Sequence, residues 1–567
     1  MMRLHRDRGF TTRLRSSIAM SIQSTERMRL IYAAAIVLVS AVACGFAEER
    51  VVDRLQTEAR GLHLLWADGK PDETDILRQA FIHGGQVVVQ WADIEPEPGT
   101  FDFKALDSKL AFLAGMRKWA TVQVNGNLKP GWLFDSVPSV PKQFHQQVQD
   151  KRGTLMFWHP HFIEAHLGML RALATHLRSS PFRERLLGIR MNFNAVGTEQ
   201  LHVPDEYRNP KAWRIPSGVS IAGVPVYGDS VQQRYISQTV DTYRDEFSQW
   251  SIVFVRNRVD GDVLSRIAPE LRAGRLGLFH TSSEVEPRTA MTERRYGMFY
   301  DFARSGETVA YAEPWASAWG EHGGKNDVRW CSPCQWNYWT LLFNLHCGVS
   351  FIGEYYINLH FARTAEHPRR MKDTVHPKEQ AEEFLEAYRW VDSYAGRHNR
   401  PLETPGAWVA FRQNSEIKAK NSIGPMDGWT LKRFAGDYNF LMERIEGDES
   451  VGIGPVGPPE QRYGAFARKL PAGHVIRLKL DSEFRSMLVS KNGTLRVIYF
   501  DDSSRPDAEV CVGEHEVGRL TFKASQRWEI AGMSVPKDLW SRAGADWQIA
   551  IKSGLAPLTL HLAEMRR

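Results

Sequence analysis

The sequence predicts an α/β protein, a (β/α)8 barrel followed by an all-β sandwich. From about residue 60 to 395, short runs rich in Val, Ile, Leu and Phe alternate with longer amphipathic stretches. That texture belongs to parallel strands covered on both faces by helices. No Gly-x-Gly-x-x-Gly follows the first apolar run, which ranks a barrel ahead of an open doubly wound sheet. Beyond about residue 400 the chain turns to short alternating segments separated by Gly, Asp, Ser and Pro, as antiparallel sandwiches read.

Eight strands are predicted in order: Gly61–Trp66, Gln86–Trp91, Trp119–Val124, Leu186–Phe193, Ser251–Asn257, Arg275–Thr281, Thr308–Glu313 and Val349–Tyr355. Helical periodicity lies between and after them at Pro160–Leu177, Val231–Trp250, Glu293–Gly306 and Lys378–Gly396. The sandwich is read from "GHVIRLKLD", "TLRVIYFDD", "EVCVGEHEV", "RLTFKA" and "DWQIAIKSG". The resulting organisation is a leader over residues 1–47, a barrel over 48–400 and a sandwich over 401–567, without internal repeats.

A hydrophobic fraction of 43% and a charged fraction of 24% supply a large core. The net charge of +6 is spread among acids with no basic run, which argues against a nucleic-acid partner. Eighteen tryptophans are an excess that suits core packing and stacking on sugar rings. Residues 1–47 read as a secretory signal: several arginines, the apolar run Leu30–Ala43, and small residues before Glu48. Cleavage ahead of Cys44 would instead make a lipoprotein. No other segment is apolar enough to span a membrane. The protein is therefore expected outside the cytoplasm, periplasmic or extracellular.

"RWCSPCQW" (Arg329–Trp336) imitates a thioredoxin active site. It lies deep inside the barrel pattern, however, and export favours a disulfide. Cys331 and Cys334 are read as a structural staple in a loop, paired with each other or one with Cys347. A zinc site with His322 or His346 is the rarer alternative.

In a (β/α)8 barrel the reactive groups come from the C-terminal strand ends. Glu199, in "RMNFNAVGTEQLH", follows strand four, and Glu313, in "TVAYAEPWAS", ends strand seven. Two carboxylates facing each other across a barrel mouth are what glycoside hydrolysis with retention uses. One protonates the leaving oxygen and the other attacks the anomeric carbon, and neither role needs a metal or cofactor. Strand ends also offer groups to read hydroxyls and stack on rings: Trp91, Asn125, Asn194, Gln200, Arg256, His280, Trp315 and Glu354. Rival carboxylates are Glu95, Glu97, Glu284, Glu286, Glu321 and, at the end of strand eight, Glu354. His159 and His161 lack a nearby third ligand for a metal.

Three segments carry a resemblance. They are "VVVQWADIEPEPGTFDFKALD" (Val87–Asp107), "LKPGWLFDSVP" (Leu128–Pro138) and "WHPHFIEAHLGMLRALATHL" (Trp158–Leu177). Together they resemble the clan A glycoside hydrolases, closest in layout to the family 42 β-galactosidases, over roughly residues 58 to 360. The resemblance implies that Glu199 is the general acid/base and Glu313 the nucleophile, and that Glu95 and Glu97 sit in a structural turn. Where those families carry Asn-Glu, this chain has Thr198-Glu199. Asn194 upstream is the residue that the resemblance offers for the sugar 2-hydroxyl. An oligo- or polysaccharide is the expected partner. A carbohydrate-binding barrel without catalysis, and a transglycosylase using the same carboxylates, are the alternative functions. A thiol oxidoreductase is the remote one.

Overall fold

The computed structural model describes residues 51–567 apart from 257–260, 284–296, 315, 320–330, 368, 413–435, 503–507 and 542–547. All eight predicted strands form, in order. They are β1 (Gly61–Leu64), β2 (Ile82–Gln90), β3 (Trp119–Asn125), β4 (Leu186–Arg190), β5 (Ile252–Arg256), β6 (Leu276–Ser283), β7 (Ala310–Pro314) and β8 (Phe351–Glu354). Each pairs in parallel with its neighbours, and β8 closes on β1. The β2–β3 ladder is the longest, running from Gly84↔Trp119 to Gln90↔Asn125. Gly84 and Gly85 weaken strand propensity, which is why the sequence reading begins β2 four residues late.

Period-two alternation sorts each strand's side chains. Phe254, Phe279, Tyr311 and Phe351 point inward and pack together, with Val52, Leu55 and Ala59 of the N-terminal helix Val51–Ala59 in the same cluster. Val253, Val255, Leu278, Ala310, Ala312 and Ile352 face the helices. In β4 the register with β3 slips between Ala120↔Leu186 and Thr121↔Gly188. Such a slip re-aims the side chains that follow, and here it turns Arg190 into the barrel. Gly188 permits the approach, because a Cβ there would lie 2.3 Å from the Ile252 carbonyl oxygen.

The helices that matter to the site are α1 (Lys104–Gly115), α2 (Pro160–Ser179), α3 (Asp229–Phe247), α4 (Pro333–His346) and α5 (Pro377–Asp392). His159 caps α2 by accepting the His161 N–H, and Pro160 sits at the first turn, so "WHPH" is a helix start. The "WCSPCQW" motif resolves likewise. It is the N-terminus of α4 and not a loop: Ser332 is the N-cap, Pro333 follows, and Gln335 completes a capping box. Every residue of α4 is buried, so no amphipathic stripe announced it.

The expected disulfide is corrected as well. Cys331, Cys334 and Cys347 are not joined in disulfides. The Cys334 thiol donates to the carbonyls of Pro459 and Glu460 at 3.4 and 3.6 Å, and burial pushes its pKa up. A buried thiol with a raised pKa is unreactive. Gln335 Nε2 donates to the Gln461 carbonyl at 3.1 Å, so the motif seats a sandwich loop on the barrel. His346 is taken by Tyr300 and by the Asn439 N–H, and His322 lies outside the described residues.

After the barrel come a seven-stranded and a five-stranded antiparallel sheet. "EVCVGEHEV" forms a hairpin, Ala508–Val512 with His515–Leu520, where the reading had one segment. The central strand Leu558–Arg566 is buried on both faces. Along Gly406–Ala410, Ala407 and Val409 join the core between the sheets, while Trp408 and Ala410 join the barrel's core. Glu564 anchors this contact, accepting from Trp390 Nε1 at 2.8 Å and Tyr394 OH at 2.6 Å and pairing with Arg496 at 3.0 Å. Barrel and sheets form one compact unit, Val51–Arg567.

Candidate active site

Above the aromatic floor the inward positions become polar. Two residues beyond Phe254 comes Arg256, two beyond Tyr311 comes Glu313, and two beyond Gly188 comes Arg190. Gln86 and Gln123 join them from β2 and β3, and Glu199 enters from the loop after β4. One guanidinium holds both carboxylates: Arg190 Nη2 lies 2.5 Å from Glu199 Oε1, and Nη1 lies 2.6 Å from Glu313 Oε1. Nη1 also reaches Gln123 Oε1 at 2.5 Å, and Gln86 Nε2 donates to Glu313 Oε1 at 2.5 Å. Arg256 Nη1 pairs with Glu199 Oε1. The Arg190 guanidinium lies 3.8 Å above the centre of the Phe279 ring. All four charged residues are at most 7% exposed. The two cations balance the two anions, as burial demands.

The loop that delivers Glu199 is tightly tied. Asn194 N–H donates to Thr198 O at 2.9 Å, Val196 N–H to Gln200 O at 3.1 Å, and Glu199 N–H to Gln200 Oε1 at 3.2 Å. Thr198 Oγ1 donates to Asn127 Oδ1 at 2.6 Å. Asn194 takes a left-handed φ of 52° and packs on Gly126, where a Cβ would lie 2.8 Å from its own Cβ. Both polar atoms of the Asn194 side chain are buried without a hydrogen-bond partner. A buried amide left this way is an exception that asks for an explanation.

Burial pushes the Glu313 carboxyl up, against Arg190, Gln86 and Arg256, which pull it down. Glu199 Oε1 meets two guanidiniums, those of Arg190 and Arg256.

Of the binding residues the sequence predicts, Asn125 lines the mouth, Arg256 pairs with Glu199, Asn194 is buried in the Glu199 loop, and Gln200 braces that loop. The other four, Glu354 among them, are elsewhere or outside the described residues. Trp91 is fully buried, donates to Glu95 Oε2 at 2.7 Å and packs on Phe162 and His166 of α2; its place just past the end of β2 turns it outward. His280 pairs with Ala312 on the helix side of β6 and is fully buried. Trp315 lies outside the described residues, as do Glu284, Glu286 and Glu321.

Glu354 is also corrected. Phe351 and Gly353 face inward, so Glu354 faces outward, accepting from Tyr355 N–H at 2.8 Å and Asn358 Nδ2 at 2.6 Å. Burial lifts its pKa to about 7. Glu95 serves its own turn, bound by Trp91 and the Gly99 N–H. His159 Nε2 and His161 Nδ1 meet the carbonyls of Ser220 and Ser136, and the described residues hold no group of three metal-ligating side chains.

Arg190, Gln86 and Gln123 were missed. Each interrupts an apolar barrel strand with a polar side chain, so the signal was present: a polar residue at an inward register position has only the mouth to serve.

The family model described as "Beta-galactosidase", glycoside hydrolase family 42, matches residues 73–184. The chain resembles the family 42 β-galactosidases. The match supports a glycoside hydrolase of β-galactosidase type, acting on a carbohydrate. It spans β2, β3 and α2 and ends before Arg190, Glu199 and Glu313, whose roles therefore rest on geometry. No curated protein matches the chain. Among solved structures, the C-terminal CBM6 domain of LamC, a marine laminarinase from Zobellia galactanivorans, aligns at 10% identity. It covers 22% of this chain and 99% of that one with a TM-score of 0.15, too low to bear on fold or function.

Proposed function

We propose that the protein is an exported glycoside hydrolase that cleaves a β-glycosidic bond with retention, β-galactosides being the first substrates to test. Glu313 is the nucleophile and Glu199 the general acid/base. The observation that carries this reading is the meeting of both carboxylates on the single Arg190 guanidinium. Both carboxylates are held to one planar fork, a closeness that suits the spacing of about 5–5.5 Å in a retaining pair.

In the first step Glu199 protonates the glycosidic oxygen while Glu313 attacks the anomeric carbon, giving a glycosyl-enzyme. In the second, Glu199 takes a proton from water, which displaces Glu313. The unpartnered Asn194 amide suits a sugar hydroxyl at the reacting ring. The leader over residues 1–47 carries the protein out of the cytoplasm and is removed.

The test is a panel of p-nitrophenyl β-glycosides, with the nascent anomer followed by proton NMR. Glu313→Ala is expected to lose about three to four orders of magnitude in rate, with azide restoring turnover to an inverted glycosyl azide. One observation favours a second reading, a carbohydrate-binding barrel: Glu199 Oε1 is shared by two guanidiniums, and such a neutral cluster needs no chemistry to explain it. Sugar binding by wild-type protein without turnover on any glycoside would establish that reading instead.

A further inference from the structure

A cleft of about 410 Å³ opens at the C-terminal ends of β1, β2 and β3, within the size range of small-molecule sites. Its wall includes Trp66, Gln90, Asp93, Asn125 and Asn127. Trp66 stands 44% exposed at a φ of 54°. A bulky side chain in left-handed backbone is an outlier, and such strain clusters at functional sites. An exposed indole beside three carboxamides is the composition that receives a sugar: a flat apolar face for the ring, donors and acceptors for its hydroxyls.

Contacts tie the cleft's wall to the chain neighbours of both carboxylates. On one side Asn127 Oδ1 accepts from Thr198, the residue before Glu199, at 2.6 Å. On the other, the Trp66 ring meets Tyr355 edge-on at 5.3 Å, and Tyr355 OH donates to the carbonyl of Pro314, the residue after Glu313, at 3.2 Å. In the middle, Asn125 Oδ1 accepts from Gln123, which itself accepts from Arg190.

We propose that this cleft is a saccharide subsite in which Trp66 is the stacking platform and Gln90, Asn125 and Asn127 read hydroxyls, and that it takes a neutral pyranose unit and excludes uronates. The charges decide the class. The cleft's lysine, Lys109, is bound by Asp68 Oδ1 and the Val88 carbonyl, each at 2.9 Å. Exposed Asp93 adds negative charge, and the nearby arginines are committed to Glu199 and Glu313. The inference rests on the glycosidase reading for the bound unit's part in a reaction, but the binding itself does not.

The experiment therefore measures binding. Full-length Glu313→Ala protein is titrated calorimetrically with β-linked tetrasaccharides of glucose, galactose, mannose and xylose, and with a tetra-uronate. Trp66→Ala and Trp66→Phe are then added to the same background. At least one neutral tetrasaccharide should bind. Trp66→Ala should weaken it tenfold or more, Trp66→Phe should keep most of the affinity, and the tetra-uronate should bind at least tenfold more weakly. Unchanged affinity in Trp66→Ala, equal or tighter uronate binding, or no binding of any neutral tetrasaccharide overturns the proposal. Trp66-dependent binding by a wild-type protein that hydrolyses nothing sinks the glycosidase reading and leaves the subsite standing. Turnover with Trp66-independent binding does the reverse.

Discussion

Glu354→Gln separates a structural carboxyl from a catalytic one. Glu354 is buried on the helix side of β8, and desolvation raises its pKa from the ordinary 4.5 to about 7, against its hydrogen bonds from Asn358 and Tyr355. In the unfolded chain the group loses its proton near 4.5, while the folded chain keeps it to about 7. Its contribution to stability is thus fully present below pH 4.5 and lost as pH rises through 7. At about 1.4 kcal/mol per pH unit, the loss across that window is about 3 kcal/mol. Glutamine keeps an acceptor for the Tyr355 N–H and the Asn358 amide but does not titrate. Unfolding midpoints of both proteins between pH 4 and 8.5 should therefore nearly coincide at the acid end, and the variant should gain on the wild type as pH rises. Its hydrolytic rate per folded molecule should stay within a few-fold. A midpoint gap independent of pH would refute the burial argument. A rate loss of orders of magnitude in a folded variant would return Glu354 to the catalytic candidates.

Three further outcomes are expected. Arg190→Lys puts a point charge where a fork spans two carboxylates, so kcat/KM should fall at least about a hundredfold, and normal kinetics would contradict the bridging role. Glu564→Ala leaves Arg496 without its buried partner and frees Trp390 and Tyr394 between barrel and sandwich. Thermal unfolding should show about 3–5 kcal/mol of lost stability, and a loss below 1 kcal/mol would mean that packing alone holds that contact. Thiol titration in denaturant without reductant should find Cys331, Cys334 and Cys347 all reactive, with the buried pair Cys334 and Cys347 silent in native protein. Cysteines that report only after reduction would restore the disulfide, and insulin reduction by the native protein would restore the redox reading.

The barrel was legible because parallel strands covered on both faces are continuous apolar runs, and Glu199 and Glu313 stood where strand ends put them. Outward and inward residues were harder to tell apart. His280 and Glu354 sit at strand ends as Glu313 does, but one step of the two-residue alternation places them among helices, and sequence proximity to a strand end does not carry that parity. Arg190 depended on the register slip in β4, a pairing event between distant segments. α4 was hidden because a helix buried on every side has no polar face. The signal that was there and unused was chemical: Gln86, Gln123 and Arg190 are polar residues inside apolar strands.

The positions of the two carboxylates and their surroundings point in opposite directions. In the proposed mechanism Glu199 is the acid and must carry a proton, while Glu313 is the nucleophile and must be ionised. At rest, two guanidiniums meet Glu199, and burial raises Glu313. Arg190 touches both carboxyls, so a change in its contact with one is felt at the other. Leaving-group dependence decides which assignment holds. If Glu199 is the acid, Glu199→Ala should spare dinitrophenyl glycosides, whose leaving group needs no proton, and cripple unactivated disaccharides. Glu313→Ala should cripple both. The opposite pattern, with Glu313→Ala sparing the activated substrate, would exchange the two roles and make the resting electrostatics the better guide.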